Sequence, residues 1–364
     1  MLDFMGKETY TRIIGTGSYI PPQIIKNSHF LNSEFYELTK KKIDGKTNEE
    51  IIQKFKEITN IEERRYVTDD QLTSDIASFA IIKACKAAGI SKESLEFIII
   101  GHNFGDIVDG NVRTDVLPSL ANKVKMKLHI KNPACICHDI IAGCPGWTQS
   151  MIIADAYIKS GFMKRGVVVG ADVLSRISDP HDRDSMIYAD GAGATVVEAV
   201  ESEEPIGILA HSSRSDSIKY AGNLTLGESS NPDFGSDELF VKMAGRKLYL
   251  YAITTVPGVV KDSIEKAGLE LNDIKKIFIH QANEKMDEAI LAGVFKLYGE
   301  TEMPEGIMPM SIRKLGNSST ATVPTLLDLV LKGKMEGQEV NKDDYTILCS
   351  VGAGMNINSI VYKW

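Results

Sequence analysis

Ala88-Gly89-Ile90, followed by Leu95 and Phe97-Ile98-Ile99-Ile100, recurs as Ala267-Gly268-Leu269, followed by Ile274 and Ile277-Phe278-Ile279. Gly268 stands 179 positions after Gly89, close to half the chain. Each copy reads as a helix end closed by glycine, a short turn, and an apolar strand. A second pair, Gly191-Ala192-Gly193 and Gly352-Ala353-Gly354, repeats in the same order between apolar strand-like runs. Two ordered matches predict a duplicated α/β unit. The halves, 1–200 and 205–364, meet at the polar break Glu201-Ser202-Glu203-Glu204-Pro205. A cleft is expected between them, where strand ends and helix N-termini converge.

Outward from the repeat, short β-branched runs alternate with longer helical stretches, as α/β layering requires. Strands are expected at Thr11–Thr16, Phe97–Gly101, Cys135–Ile140, Gly166–Gly170, Ala194–Val200, Ile277–His280, Thr346–Ser350 and Asn356–Tyr362. Helices are expected at Asp75–Ala88, Pro145–Ser160, Lys247–Ala267, Glu284–Tyr298 and Thr322–Lys332. The Lys-rich stretch 31–63 reads as a surface insert with a helix-like tail and a solvated face.

The 364 residues are 43% apolar and 25% charged, an ordinary globular composition that excludes disorder and fibrous repeats. A net charge of −8 provides no general basic field for nucleic acid, so any basic docking face must be local. Five cysteines, an odd count, argue against a secreted disulfide framework. The N-terminus carries Asp3 and Glu8 and lacks a signal-peptide core, and the apolar runs are strand-sized. A cytoplasmic, soluble protein is expected.

Cys144 stands apart from the other cysteines. It follows an apolar run, sits in Gly143-Cys144-Pro145-Gly146, and precedes the helical stretch Trp147–Ser160. Pro145 suits a first helical position. A thiol there meets the positive end of the helix dipole, which is expected to favour thiolate and nucleophilicity. The alternative is a buried turn cysteine. His280 closes the second-half strand before Gln281-Ala282-Asn283, where the first half has Gly101; a satisfied core histidine is its alternative. Asn317 lies in the small-residue loop Gly316-Asn317-Ser318-Ser319-Thr320, where an N-cap would also explain it. Cys135, Cys137 and His138 lack a second ligand pair at zinc spacing. Gly15-Thr16-Gly17 and Gly191-Ala192-Gly193 lack the rest of a dinucleotide fingerprint.

In this order, Gly143-Cys144-Pro145-Gly146, His280-Gln281-Ala282-Asn283 and Gly316-Asn317-Ser318-Ser319 resemble the thiolase-superfamily condensing enzymes of the 3-oxoacyl-[acyl-carrier-protein] synthase III type. The resemblance runs nearly end to end, through Glu63-Arg64-Arg65 and Ser178–Arg183 to Val361–Trp364. It implies two duplicated halves in a five-layered α-β-α-β-α sandwich, usually a homodimer. It implies a decarboxylative Claisen condensation in which Cys144 takes an acyl group from acyl-CoA or an acyl carrier protein, and a malonyl thioester then loses CO₂ and attacks it. His280 and Asn317 would stabilise the enolate, and the backbone N–H groups of Cys144 and Ala353 the tetrahedral intermediate. No metal or redox cofactor is implied.

Substrate contacts follow the same likeness. Arg183 stands at a coenzyme-contact position. Gly245, Arg246 and Lys247, with Asn283 and Lys285, resemble the tunnel mouth and would form a local basic cluster for an acidic carrier. Leu117 matches a position limiting acyl-pocket depth across a dimer interface. Where relatives primed by coenzyme A carry Trp and Arg, this chain has Lys54 and Ile58, which favours a carrier-bound donor. Two other readings compete: a secondary-metabolite ketosynthase or acyltransferase using the same triad, and a catalytically silent acyl-binding scaffold.

Overall fold

The computed structural model describes residues 7–110 and 113–364. In chain order the elements are β1 (Glu8–Tyr19), β2 (Gln23–Lys26), α1 (Asn48–Thr59), β3 (Glu63–Tyr66), α2 (Thr73–Ala88), β4 (Phe97–Gly101), α3 (Leu120–Lys127), β5 (Ile136–Ile140), α4 (Gly146–Lys159), β6 (Arg165–Val173), β7 (Asp190–Ser202) and β8 (Gly207–Ser215). They continue with α5 (Ser217–Tyr220), β9 (Leu224–Gly227), β10 (Phe240–Met243), α6 (Gly245–Lys266), β11 (Ile274–Ile279), α7 (Glu284–Leu297), α8 (Ile312–Leu315), α9 (Thr322–Leu331), β12 (Tyr345–Gly352) and β13 (Asn356–Lys363).

The repeat becomes two sheets of matching design. The first has the order β1-β7-β6-β4-β5 and the second β8-β13-β12-β11. Within the first, β4 and β6 are parallel while β6–β7 and β7–β1 are antiparallel. The second repeats this pattern, with β11 and β12 parallel and β12–β13 and β13–β8 antiparallel. Only the first sheet adds the parallel edge strand β5. The strand β8 lies outside the sequence expectation. Its stretch His211-Ser212-Ser213-Arg214 is polar because the strand runs out toward solvent, with Ser213, Arg214 and Ser215 exposed.

Three apolar clusters cement five layers. One packs α2 and α3 on the outer face of the first sheet, through residues such as Ile76, Ile81, Ile98 and Val169. Another packs α6 and α7 on the outer face of the second, through Val260, Ile277, Ile290 and Ile347. The third fills the space between the sheets around α4 and α9 and includes Trp147, Met151, Leu326, Phe278 and Leu348. Trp147 is anchored there by its indole N–H, which donates to Thr195 Oγ1 at 3.0 Å. The central helices α4 and α9 therefore present their N-termini at one end of the same layer.

In the stretch 31–63 the helix-like tail is present, but one of its faces is not solvated. Helix α1 begins with a capping box between Thr47 and Glu50 and buries Ile51, Phe55 and Thr59 on one face. Phe35, Ile51, Phe55 and Ile61 join Ile107, Leu174, Ile177, Met186, Tyr188 and Val241 in a fourth apolar cluster. The lysines are solvated, but the segment is packed against loops of both halves. Among the described residues, no helix is long and apolar enough to cross a membrane.

Candidate active site

The loop between β5 and α4 carries Cys144 into a tight backbone junction. Gly143 adopts φ +67°, and a Cβ there would lie 2.6 Å from the Ala353 nitrogen. A Cβ on Gly352 would lie 2.6 Å from the Cys144 nitrogen. Both glycines are required because two loops, one from each half, touch at backbone distance. The nitrogens of Cys144 and Ala353 each lie against the glycine of the opposite loop.

Cys144 opens onto a cavity of about 330 Å³ whose walls include Tyr188, Leu174, Leu224, Val241 and Ser319. Ser319, from the loop entering α9, donates its hydroxyl to Cys144 Sγ at 3.4 Å. Asn103 Nδ2 donates to Ser319 Oγ at 2.8 Å and to Asp172 Oδ2 at 2.7 Å. Thr320 Oγ1 also donates to Asp172 Oδ2, at 3.1 Å.

His280 and Asn317 converge on this loop, behind Ser319. His280 Nδ1 lies 2.7 Å from Thr322 Oγ1, and the Ser319 carbonyl bears on the same ring. The Asn317 side-chain oxygen accepts from Ser319 N at 2.8 Å. Its backbone is fixed from both sides, with N–H to Ile187 O and C=O from Ala189 N, each at 2.9 Å. Both residues are buried. The three sequence candidates thus share one small region, with Ser319 in contact with each of them.

The enclosure of the thiol opposes the expected helix-activated thiolate. Part of Cys144 remains open to the cavity, but the thiol itself is enclosed, and burial pushes it up to about 12, assisted by the Asp172 carboxylate. The Ser319 hydroxyl and the Cys144 N–H pull the other way and do not win. Desolvation is the largest of these influences, and the first turn of α4 begins only at Gly146. Burial likewise drives His280 down to about 3, so it is neutral at physiological pH.

Arg246, Lys247 and Lys285 are exposed, and none of them lines the cavity. Gly245 opens α6 beside Asp184, and Arg183 pairs with Glu37 at 3.6 Å and Asp184 at 3.7 Å. Arg183 is therefore engaged with carboxylates rather than free. Asn283 caps α7 by accepting from Met286 N at 3.2 Å. Leu117 is 87% exposed and lies away from the cavity wall. Lys54 pairs with Glu57 at 3.3 Å, and Ile58 is exposed on α1. Cys85, Cys135 and Cys349 are buried, and Cys137 packs against the first cluster. His138 faces Tyr157, so the Cys135-Cys137-His138 run does not converge on one point.

Sequence reasoning missed Ser319, Asn103, Asp172, Thr322 and Tyr188. Ser319 and Thr322 stood in the small-residue loop around Asn317, which was the available signal. Asn103, Asp172 and Tyr188 meet the site only through the fold.

Matched sheets enclosing a central helix layer, with the two N-termini meeting at a cysteine, are the architecture of the thiolase-like condensing enzymes. The family profile described as 3-Oxoacyl-[acyl-carrier-protein (ACP)] synthase III matches residues 138–217, and its C-terminal counterpart matches 264–364. Beta-ketoacyl-[acyl-carrier-protein] synthase III of Staphylococcus haemolyticus is 33% identical, over 97% of this chain and 98% of its own. Beta-ketoacyl-[acyl-carrier-protein] synthase III 1 of Vibrio vulnificus is 32% identical, over 98% of this chain and 100% of its own. The crystal structure of 3-oxoacyl-[acyl-carrier-protein] synthase III from Aquifex aeolicus superposes with a TM-score of 0.78 at 27% identity, covering 97% of this chain and 100% of that one. The chain belongs to the 3-oxoacyl-[acyl-carrier-protein] synthase III family, condensing enzymes of the acyltransferase class.

Proposed function

We infer that Cys144 is the nucleophile of a two-stage decarboxylative condensation. Its Sγ attacks an acyl thioester; the S–C bond to the enzyme forms, the donor's C–S bond breaks, and the thiol proton leaves with the donor thiol. A malonyl thioester then loses CO₂, and its carbanion attacks the acyl-cysteine to give a 3-oxoacyl thioester and free Cys144. The observation that carries this reading is the contact of the Gly143-Cys144 and Gly352-Ala353 backbones at the foot of the cavity. The N–H groups of Cys144 and Ala353 suit the oxyanion of the tetrahedral intermediate.

His280 and Asn317 are assigned to the enolate. A neutral imidazole donates there with its proton on Nε2, which requires the Thr322 hydroxyl to donate to Nδ1 across their 2.7 Å contact. No redox cofactor or metal enters this chemistry. Coenzyme A or an acidic acyl carrier protein delivers the substrates, with Arg183, Gly245, Arg246, Lys247, Asn283 and Lys285 around the mouth. The exposed Leu117 suits a homodimer in which it limits the partner's acyl pocket. Residues 1–200 and 205–364 act as one inseparable pair of halves in the cytoplasm.

Incubation with an acyl donor and a malonyl thioester tests the assignment. A 3-oxoacyl product with stoichiometric CO₂ is expected; a stable acyl-enzyme without CO₂ release contradicts it and favours simple acyl transfer.

A further inference from the structure

Ser319 Oγ stands 3.4 Å from Cys144 Sγ, and the hydrogens around that hydroxyl can be counted. An asparagine amide nitrogen carries two hydrogens, a serine hydroxyl one, and a carboxylate none. Asn103, just past β4, lines the cavity beside Cys144. Its Nδ2 lies 2.7 Å from Asp172 Oδ2 and 2.8 Å from Ser319 Oγ, so both amide hydrogens are spent there. The Ser319 oxygen accepts from Asn103, and its one hydrogen is left for the sulfur.

The direction of this chain is set at its far end. Asp172, in β6, is buried, as is Ser319. Asp172 Oδ1 accepts the backbone N–H of Asn103 at 2.8 Å, and Oδ2 accepts Thr320 N at 3.4 Å. The acid therefore holds Asn103 by main chain and side chain together, and also holds the residue that follows Ser319. Turning the Asn103 amide over would set its oxygen against the carboxylate. The same turn would draw the Ser319 hydrogen to Asn103 and leave the sulfur without that donor. In a buried network such a mismatch is costly, because water cannot repair it.

In the proposed reaction the sulfur carries negative charge when it attacks the acyl donor and again when it leaves the acyl-cysteine. A donor held on Sγ stabilises it at both points. We propose that Asn103, oriented by Asp172, is a positioning residue that fixes the Ser319 hydroxyl as hydrogen-bond donor to Cys144 Sγ. Asn103 and Asp172 belong to the first half and Ser319 to the second, so the relay spans the junction at which the nucleophile sits. Its role in the reaction rests on Cys144 being the acylated nucleophile.

The charge of Asp172 acts on the thiol directly, so the test changes Asn103, which carries none. Alkylation of Cys144 by iodoacetamide near neutral pH, read by peptide mass, is compared in two backgrounds. In the wild-type background Asn103→Leu should slow alkylation about fivefold, the usual effect of one hydrogen bond. In Ser319→Ala, which has no hydroxyl to position, the same substitution should change the rate by less than about twofold. Altered access through the cavity, which Asn103 lines, would act alike in both backgrounds. Asn103→Ala, held to the same two comparisons, decides the matter if the Leu side chain is not accommodated. No slowing in the wild-type background, or an equal slowing in both, overturns the proposal. Absence of an acyl adduct on Cys144 after mixing with an acyl thioester is a different failure. It removes the nucleophile reading, and with it the role of the relay in the reaction, whatever the alkylation rates show.

Discussion

Ser319 Oγ lies 3.4 Å from Cys144 Sγ, and the Ser319 carbonyl bears on the His280 ring, so one residue of the second half links the sulfur of the first half to the imidazole. Its backbone occupies a left-handed conformation, φ +51°, which turns the loop so that hydroxyl and carbonyl serve different partners.

The hydroxyl of Ser319 is one of the few groups opposing the burial that holds the Cys144 thiol up at about 12. Ser319→Ala should raise the thiol further. Loss of about 1.4 kcal/mol of thiolate stabilisation would slow alkylation of Cys144 by iodoacetamide roughly tenfold near neutral pH. In both proteins the rate should climb with pH through the neutral range without a plateau. A plateau below pH 8 in the wild type would show a thiolate already formed.

His280→Ala and Asn317→Ala should separate the two stages. Each removes a donor that the proposal assigns to the enolate, so malonyl decarboxylation should fall by ~10²–10³ while acylation of Cys144 persists. Equal loss of both stages would place these residues in thiol activation instead.

Thr322 positions the imidazole, and its hydroxyl can donate either to His280 Nδ1 or to the Ser319 carbonyl, 3.0 Å away. Thr322→Val should release the tautomer and slow decarboxylation by about tenfold or more, with donor acylation unchanged; Thr322→Ser should restore it. Stage-resolved rates for the two variants check this.

His280 also carries a signature in acid. It is held near 3 when folded against an ordinary 6.5, so between those values the unfolded chain binds a proton that the folded one refuses. Stability from this group is complete above pH 6.5 and is lost as pH falls toward 3, with a slope approaching about 1.4 kcal/mol per pH unit. Urea melts between pH 6.5 and 4.5 should show wild type losing more stability than His280→Asn.

Arg246 and Lys247 are exposed at the start of α6. Reversing both to Glu should raise KM for carrier-bound substrates by tenfold or more while leaving N-acetylcysteamine substrates unaffected, and should flatten the salt dependence. Steady-state kinetics with the two substrate forms measure the split.

The parts of this molecule written in local pattern were legible in its sequence. Apolar strands such as Phe97–Gly101, and helices closed by Gly89 or opened at Glu284, carry their signals within a dozen residues. The edge strand Gly207–Ser215 was not legible, because past Ala210 it is polar and ends exposed. The packing of 31–63 was obscured by its lysines, although Ile51 and Phe55 stand one helical turn apart. At the site, Cys144 announced itself by its place between a strand and a helix. Its burial did not, since the groups enclosing it arrive from both halves; Ser319 is 175 residues away. Local dipole reasoning therefore took no account of the burial that pushes the thiol up, and Tyr188, an apolar-looking neighbour in Met186-Ile187-Tyr188, gave no signal at all.

The most direct measurement is the intact mass of the protein after mixing with an acyl thioester and then with a malonyl thioester. The account predicts one acyl adduct on wild type, none on Cys144→Ala, and discharge of that adduct by malonyl thioester with release of one CO₂ per 3-oxoacyl product. An adduct retained in Cys144→Ala, or one that malonyl thioester leaves in place, would contradict it.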